Sequence, residues 1–429
     1  MKVELPRGMR DLTSNESYYI DYIKRKFFEV VSTYNFQILE PSPLELLSTL
    51  EVKSGSSIIN EIYGFTDKGG RSIALRYDLT VGMTRFATSR RDMRLPIKLA
   101  SFGGVWRYDE PQAGRYRYFH QWDIELYDTF DIDSDAEIIE FVSNFFDKLG
   151  VGNSIIIEVS DRRILEEYIK LNFKIENESL LSEIFRAIDK VPKKGIQEVC
   201  QEYKEVIDEN LLKDLLQVFS FKGDLEDLKS NPKLNNLECI KYLEELLLSL
   251  KYRNVTNVRI NLGIVRGLDY YSGMVFEVLD TKSDVGSLVG GGRYDKLTSV
   301  FGRSDIGAAG AAGGVERIIL ALRSRENFLP SEEKNIIYLA NSGDEVRNHL
   351  LRLVNFLRKK GFIIEYDISN RTLKKQLSDA SSKNAKIAII VAPEEISRQK
   401  LKLRNMKTGS ESMEKINGIE KRIAELLLL

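Results

Sequence analysis

The spacing of apolar side chains divides the first half of the chain into stretches with different structures. Between Glu16 and Tyr34, apolar and aromatic residues recur every three or four positions with charges on the other side, which predicts an amphipathic helix. From Phe36 to Tyr127 the apolar residues form short runs that Gly, Pro and Asp interrupt, a pattern typical of an antiparallel sheet. Residues 133–149 return to helical spacing, with Asp and Ser at the start as potential caps.

The second half has a different organisation. Residues 160–250 carry Leu, Glu and Lys at helical spacing, which predicts a helical insertion. Strand patterns then resume, and a glycine-rich strand at 307–314 followed by a helix closes this part. The polar segment 326–334 contains a proline and is interpreted as a linker. We therefore predict an α+β main domain over 1–325 and, where strands and helices alternate, a small α/β domain over 335–429.

Charge is distributed unevenly along the chain. The 63 basic and 64 acidic residues nearly cancel, so the net charge excludes no class of partner, and a polyanion would have to bind a local basic patch. From Lys334 on, however, 19 Lys and Arg stand against 11 Asp and Glu. This excess makes the C-terminal domain the candidate for contact with a polyanion.

The scarcity of two residue types restricts the chemistry. Cys200 and Cys239 are the only cysteines, which argues against a disulfide framework or a thiolate metal site. His120 and His349 are the only histidines, so a His-based metal or acid–base site is disfavoured. We expect no metal held by protein side chains. Since no apolar stretch approaches the roughly 18 residues of a membrane span and the N-terminus lacks an apolar signal, we expect a cytoplasmic protein.

The densest group of candidate functional residues lies between Arg107 and Glu125. Three arginines occupy two strand-like arms joined by a loop, so a hairpin would gather their guanidinium groups around an anion such as a phosphate. Aromatic side chains between them offer flat faces for a nucleobase. The alternative is a solvated hairpin whose arginines pair with neighbouring carboxylates. The arginines are Arg107, Arg115 and Arg117, and the aromatic residues are Tyr116, Tyr118 and Phe119.

Two further sets of polar residues interrupt apolar strand patterns. Asp78 stands inside the strand-like run 72–80, where it would accept a substrate ammonium or pair with a nearby arginine, Arg76 or Arg85. Gln121, Asp123 and Glu125 alternate along one strand and therefore share one face, which is either a lined pocket or a wet surface. Arg266 and Asp269 interrupt the run 261–280, which otherwise resembles two core strands joined by a turn.

Three basic side chains stand near glycine-rich or helical segments. The segments 290–297 and 307–317 lack the Walker and dinucleotide-binding patterns, so their small residues more simply permit close backbone approach. Arg317, just inside the following helix, would contact a ligand or be an exposed helix residue. Arg371 and Lys374 lie where a helix N-terminus would attract phosphate, or they belong to a solvated basic face.

Together these segments resemble the histidyl-tRNA synthetase family of class II aminoacyl-tRNA synthetases over nearly the whole chain. PRGMRD resembles the opening signature, and FQILEP, with Pro41, resembles class motif 1. The run 102–125 resembles motif 2 and GGVERIILAL resembles motif 3. LGIVRGLDYYSGMVFEV and GGGRYDKL resemble the signatures peculiar to this family. Arg107-x-Asp109 and RYDLT depart from the bacterial pattern and suit the archaeal and eukaryotic branch.

The resemblance implies a fold and an activity. The fold would be a class II antiparallel sheet flanked by helices, with an insertion and a C-terminal anticodon-binding domain, and motif 1 implies a homodimer. The activity would be histidine–tRNA ligation: L-histidine reacts with ATP, accompanied by Mg²⁺, to histidyl-adenylate, and histidine then passes to tRNA(His). The alternatives are a catalytically silent regulatory subunit of histidine biosynthesis and a nucleic-acid-binding protein without catalysis.

The resemblance also implies a role for each matched residue. Arg107 and Arg266 would be the catalytic cations on opposite sides of the ATP α-phosphate, with Arg107 also near the histidine carboxylate. The remaining ATP contacts would be Asp109, Arg115, Phe119 and Arg317, of which Phe119 and Arg317 would sandwich the adenine. At the histidine ammonium the contacts would be Asp78, Thr80 and Gln121. At the imidazole they would be Glu125, Tyr271 and Tyr294. Leu79 and Tyr270 would also contact the bound histidine. The tRNA contacts would be Gln112, Arg371 and Lys374.

Overall fold

The computed structural model describes residues 4–54, 56–108, 116–128, 130–264, 271–325, 334–369 and 371–428. Its contacts divide the chain into two compact units, Met1–Pro330 and Ser331–Leu429. The predicted linker, 326–334, lies outside the described residues except for Lys334. No helix in these ranges is long and apolar enough to cross a membrane.

The strands and helices of the larger unit are numbered here along the chain. Its strands are β1 (Gln37–Ile38), β2 (Leu44–Leu46), β3 (Gly64–Thr66), β4 (Ser72–Leu75), β5 (Ile97–Trp106), β6 (Tyr118–Asp128), β7 (Ile155–Asp161), β8 (Lys222–Gly223), β9 (Val258–Asn261), β10 (Met274–Asp280), β11 (Val289–Arg293) and β12 (Gly307–Gly314). Its helices are α1 (Ser14–Thr33), α2 (Leu47–Ser54), α3 (Thr80–Ser89), α4 (Ile132–Lys148), α5 (Arg162–Phe173), α6 (Glu178–Lys194), α7 (Ile196–Tyr203), α8 (Glu209–Phe219), α9 (Leu225–Ser230), α10 (Ile240–Tyr252), α11 (Asp295–Val300) and α12 (Val315–Arg323).

A nine-stranded sheet forms the centre of this unit, in the order β1-β5-β6-β12-β11-β10-β7-β9-β8. The central strands pair antiparallel, as predicted, whereas β1 with β5 and β7 with β9 pair in parallel. A parallel pair needs a long crossover between its strands. For β7 and β9 that crossover is the whole insertion, so the insertion lies between two strands that are neighbours in the sheet.

Helix α1 confirms the amphipathic helix that the sequence predicts. It begins at Ser14 because Thr13 and Glu16 form a capping box, in which each side chain accepts a hydrogen bond from the other's backbone N–H. Its buried face is set by residues three and four apart, and Phe27 packs against Trp122 with ring centroids 5.4 Å apart. Helix α1 and the sheet thereby share one core. This core buries β6, the strand that carries Gln121, Asp123 and Glu125.

The insertion is not purely helical. Helices α5 to α10 bury their apolar faces in the same core as the main sheet. Between α8 and α9 the chain adds the two-residue strand β8, which pairs antiparallel with β9 through Lys222 and Asn261. The run 261–280 also differs from its prediction: β9 ends at Asn261, β10 begins at Met274, and β7 separates the two strands in the sheet.

The apolar pattern predicted a strand-like run over 72–80, which is longer than the observed strand. Strand β4 ends at Leu75 and pairs with β2 and β3 in a separate three-stranded sheet, and α3 begins at Thr80. Asp78 lies between them and accepts a hydrogen bond from the Val81 N–H at 3.1 Å. An aspartate in this place satisfies an N–H that the first helical turn leaves without an intrahelical partner, and this local bond favours the helix start over a longer strand.

The smaller unit has the alternating α/β structure that the sequence predicts. Its sheet has the order β14-β13-β15-β16-β17, parallel between β13 and its two neighbours and antiparallel beyond β15. One strand, β17, was not predicted. The strands are β13 (Ile336–Asn341), β14 (Ile363–Tyr366), β15 (Ile387–Val391), β16 (Lys400–Asn405) and β17 (Glu411–Lys415), and the helices are α13 (Arg347–Lys359), α14 (Leu373–Ser382), α15 (Pro393–Ser397) and α16 (Ile419–Leu428).

Candidate active site

A row of three polar side chains on β6 forms the base of the candidate site. Gln121, Asp123 and Glu125 alternate along the strand, as the sequence predicts, and point to one face of the sheet. Their exposed fractions are 4%, 0% and 1%, so the alternative of a wet surface is wrong. Buried polar side chains are retained where they have partners, and each member of this row has one.

The first part of the row connects β6 to the start of α3. Gln121 donates a hydrogen bond from Nε2 to Asp123 Oδ1 at 2.8 Å. Asp123 Oδ2 accepts a second bond from the Thr80 hydroxyl at 3.1 Å. Leu79 is fully buried in the apolar cluster next to this site. The predicted ammonium-binding residues Thr80 and Gln121 are therefore joined through a carboxylate that the sequence did not single out for binding.

Arg107 stands at the edge of this row, directly after β5. Its Nε donates to the Tyr77 carbonyl at 2.9 Å and its Nη2 to Gln121 Oε1 at 3.3 Å. The guanidinium carbon lies 5.2 Å from the centroid of the Phe119 ring. These two hydrogen bonds fix the orientation of the guanidinium plane, and the Phe119 ring lies on one side of it.

The second part of the row centres on Glu125. The Tyr294 hydroxyl donates a short hydrogen bond to the Glu125 carboxylate, and burial together with this carboxylate raises the pKa of Tyr294 well above its usual value. Glu125 fits because position 310 is glycine: a Cβ there would lie 1.6 Å from Oε2. Tyr271 and Tyr294 are both buried in one apolar cluster, and Tyr294 contacts Glu125.

A buried ionic network supports the end of β11, directly before Tyr294. Arg293 contacts the carboxylates of Asp135 and Asp295, with N–O distances of 2.9 and 3.2 Å, and Asp295 also accepts a bond from the Ser272 hydroxyl at 3.0 Å. Burial raises the pKa of Asp135 to about 6 even though Arg293 opposes the shift. The network ties the segments that bear Tyr271 and Tyr294 to helix α4. Sequence reasoning missed it, although an arginine inside the glycine-rich strand β11 was a visible signal.

Helix α12 is attached to β6 by Glu316. The Glu316 carboxylate accepts a hydrogen bond from the His120 backbone N–H at 3.0 Å and lies 3.1 Å from the ring nitrogen Nδ1 of His120. The next residue, Arg317, is half-buried and donates from Nη1 to the Ser287 carbonyl at 2.8 Å, so the alternative of an exposed helix arginine is wrong. The segments carrying Phe119 and Arg317, the two predicted adenine contacts, are thereby held together.

The other motif 2 arginine in the described residues has a different setting. Arg117 is buried and donates from Nη1 to the Arg7 carbonyl at 3.1 Å, and its guanidinium carbon lies 3.9 Å from the Tyr108 ring centroid. Gly8 adopts φ +82°, and a Cβ there would lie 2.5 Å from the Arg117 side chain. The opening signature therefore packs on motif 2.

Two arginines near Asp78 are held by glutamates. Arg76 Nη2 lies 3.0 Å from Glu40 and Arg85 Nη2 lies 2.7 Å from Glu45. Each of the two guanidinium groups considered as partners of Asp78 therefore has a glutamate carboxylate beside it. Asp78 itself is buried at the start of α3, beside Thr80.

Several predicted contacts cannot be placed or have other partners. Asp109, Gln112, Arg115, Arg266 and Tyr270 lie outside the described residues, so their roles stay predictions. In the smaller unit, Lys374 is exposed on α14. Arg371 is exposed too, but its guanidinium pairs with Asp367 and, at 2.9 Å, with Asp379.

Comparison with known proteins supplies an independent result. A histidyl-tRNA synthetase family model matches residues 8–318, and an anticodon-binding domain model matches residues 335–426. The histidine–tRNA ligase of Thermoplasma volcanium is 30% identical over 414 residues, covering 96% of each chain. That of Pyrococcus furiosus is 29% identical and covers 97% of this chain and 98% of its own.

Solved structures share the fold. The histidyl-tRNA synthetase from Nostoc sp. PCC 7120 superposes with a TM-score of 0.78 at 22% identity, covering 99% of both chains. A Bacillus halodurans C structure described as an ATP phosphoribosyltransferase regulatory subunit/histidyl-tRNA synthetase superposes with a TM-score of 0.74 at 20% identity, covering 91% of this chain and 99% of its own. Both likenesses confirm the predicted architecture of a flanked sheet followed by a smaller domain.

Proposed function

Because the chain belongs to the histidyl-tRNA synthetase family, we propose that it is a cytoplasmic histidine–tRNA ligase that activates L-histidine with ATP and transfers it to tRNA(His). The observation that carries this proposal is the buried row on β6 with Arg107 at its edge. Histidine has an ammonium, a carboxylate and an imidazole. The row offers acceptors for the first and the last, and Arg107 offers a cation for the carboxylate.

The first step needs fixed positive charge. The histidine carboxylate attacks the α-phosphorus of ATP, pyrophosphate leaves, and negative charge accumulates on the phosphate oxygens. We assign Arg107 to these oxygens and to the approaching carboxylate, because its bonds to Tyr77 and Gln121 fix the guanidinium before substrate arrives. Arg266 is assigned to the opposite side of the phosphate on the resemblance alone. Phe119 and Arg317 would hold the adenine between them.

The second step requires no protein nucleophile. The terminal ribose hydroxyl of tRNA attacks the carbonyl of histidyl-adenylate, and AMP leaves. The tRNA would be bound through the smaller unit, which matches the anticodon-binding domain and carries the basic excess. Lys374 is the better candidate contact there, since the Arg371 guanidinium is already engaged by two carboxylates.

Magnesium is expected to accompany ATP. Within the described ranges there is no group of three or more His, Cys, Asp or Glu side chains arranged to hold a metal ion. Mg²⁺ commonly binds through substrate phosphates and water with few protein ligands, and we propose that setting here.

We further propose a homodimer formed through motif 1. Strand β1 is an edge of the large sheet, and its Ile38 side chain is 66% exposed. Leu44, Leu46 and Phe65 on the adjoining small sheet are exposed as well. Isolated exposed apolar residues are common, but several on edge strands are typical of an interface that association covers.

A charge introduced on this surface is expected to weaken the dimer. Ile38→Glu should shift micromolar protein from dimer to monomer in sedimentation velocity, because a carboxylate would lose its hydration at the interface. Leu171→Glu, at a residue 60% exposed on α5, is the control and should leave the dimer unchanged. A dimer that survives Ile38→Glu would contradict the assignment of this surface.

Pyrophosphate exchange tests the proposed activity. With ATP and Mg²⁺, the chain should exchange labelled pyrophosphate into ATP when L-histidine is present, and other amino acids should not replace it. The alternative is a regulatory subunit without catalysis. The Bacillus halodurans C structure, which shares the fold, is described as an ATP phosphoribosyltransferase regulatory subunit/histidyl-tRNA synthetase. Folded protein that binds histidine but gives no exchange would support that alternative and exclude the ligase.

A further inference from the structure

Asp123 is the most completely buried member of the polar row. Its exposed fraction is 0%, and it lies between two residues that come from different elements, Thr80 on α3 and Gln121 on β6. It accepts from the Thr80 hydroxyl at 3.1 Å and from Gln121 Nε2 at 2.8 Å. A carboxylate loses its hydration when it is buried, and hydrogen bonds must replace that hydration, so its presence here calls for a role.

A carboxylate fixes the direction of the hydrogen bonds that its neighbours make. The Gln121 amide has a donor side and an acceptor side, and the Thr80 hydroxyl can both donate and accept. The two oxygens of Asp123 accept an N–H of Gln121 and the single proton of the Thr80 hydroxyl. Gln121 must then present Oε1 on its other side, which agrees with its contact to Arg107 Nη2 at 3.3 Å. What remains is acceptor capacity on the Thr80 oxygen and on Gln121 Oε1, while the second N–H of Gln121 stays on the Nε2 side, next to Asp123.

An ammonium group requires acceptors and no donors. It carries three N–H donors and has no lone pair. Resting on the function proposed above, we infer that Asp123 is a positioning residue that makes Thr80 and Gln121 acceptors, and thereby makes this subsite selective for the protonated α-amino group of the amino acid substrate. Asp78, whose Oδ1 accepts from the Val81 N–H, adds a second carboxylate at the same helix start, and Arg107 is the cation on the other side of Gln121.

The substitution Asp123→Asn separates this role from simple packing. The asparagine has the same shape, but its amide presents an N–H to one of the two partners, so that partner turns a donor toward the ligand or loses its bond. Two ligands report on the subsite. Histidinol keeps the ammonium and lacks the carboxylate, whereas 3-(imidazol-4-yl)propanoate keeps the carboxylate and lacks the ammonium.

We expect selective loss of ammonium ligands. In ligand-observed NMR, Asp123→Asn should weaken the binding of histidine and of histidinol by about 10- to 100-fold. It should change the affinities of 3-(imidazol-4-yl)propanoate and ATP by less than about threefold, a difference smaller than one lost hydrogen bond. In pyrophosphate exchange, the KM for histidine should rise far more than kcat falls. Glu158→Gln, a buried carboxylate on β7 that pairs with Arg259 and Asn261, is the matched control and should change none of these affinities.

The outcomes distinguish the inference from the proposed function. Equal weakening of all ligands, or no weakening of histidinol, would overturn the role of Asp123. If Asp123→Asn does not fold, Asp123→Ser gives the same test, because a hydroxyl can donate as well as accept; equal loss of both ligand classes would again overturn the role. The proposed function fails separately, when the unsubstituted chain neither binds histidine nor supports exchange.

Discussion

Replacing Arg107 by lysine is expected to slow histidine-dependent pyrophosphate exchange by about 10²- to 10³-fold, the loss typical of a removed transition-state donor. Lysine keeps the positive charge, but it cannot reproduce the planar fork of donors. The bonds from Arg107 to the Tyr77 carbonyl and to Gln121 would be lost together, so the cation would no longer be fixed before the reaction. Preorganisation of the charge is what the substitution removes.

The distribution of the effect between kcat and KM identifies the role of Arg107. Charge on the phosphate oxygens grows toward the transition state, so kcat should fall more than KM for ATP rises. Arg259→Lys is a suitable control, because Arg259 also forms an ion pair on the same sheet, with Glu158, away from the β6 row. Exchange that is equally slow in both variants, or undiminished in Arg107→Lys, would contradict the assignment.

Replacing Glu125 by glutamine is expected to lower kcat/KM for histidine by roughly three orders of magnitude, because sites that hydrogen-bond a polar substrate group through buried partners discriminate steeply. Glu125 accepts from Tyr294 in a buried setting, and as a carboxylate it can also accept an imidazole N–H. The glutamine amide would present a donor to one of these partners and remove the charge. The change should appear in KM for histidine and leave KM for ATP within about twofold, since none of the proposed ATP contacts involves this carboxylate.

A substitution at Gly310 tests the role of Glu125 in a second way. In Gly310→Ala the new Cβ would occupy the place of Glu125 Oε2, so the carboxylate must move, and affinity for histidine should fall without any change of functional group. Gly64→Ala is the matched control, because a Cβ at this strand glycine meets nothing closer than 3.8 Å. Histidine affinity that is unaffected in Gly310→Ala would show that Glu125 does not contact the imidazole.

Local patterns predicted the elements whose stability is local. Helices α1 and α4 and the alternating elements of the C-terminal unit follow from periodicity and caps that lie within a few residues of each other. The end of β4 did not follow, because the apolar run continues to Leu79 while Asp78 bonds the first turn of α3. Pairing between β7 and β9 across the insertion depends on contacts about a hundred residues apart, which no local pattern contains.

The sequence by itself determined the family, the kinds of element and the residue types that the chemistry uses. It also placed Gln121, Asp123 and Glu125 on one face, because alternation along a strand is a property of the backbone. Only the tertiary structure decided what these groups can do. Thr80 and Asp123 are 43 positions apart and Asp135 and Arg293 are 158 apart, and their meeting fixes which atom donates and which accepts. Hydrogen-bond direction and buried charge depend on the partner in space, and that partner is chosen by the packing of the sheet against its helices.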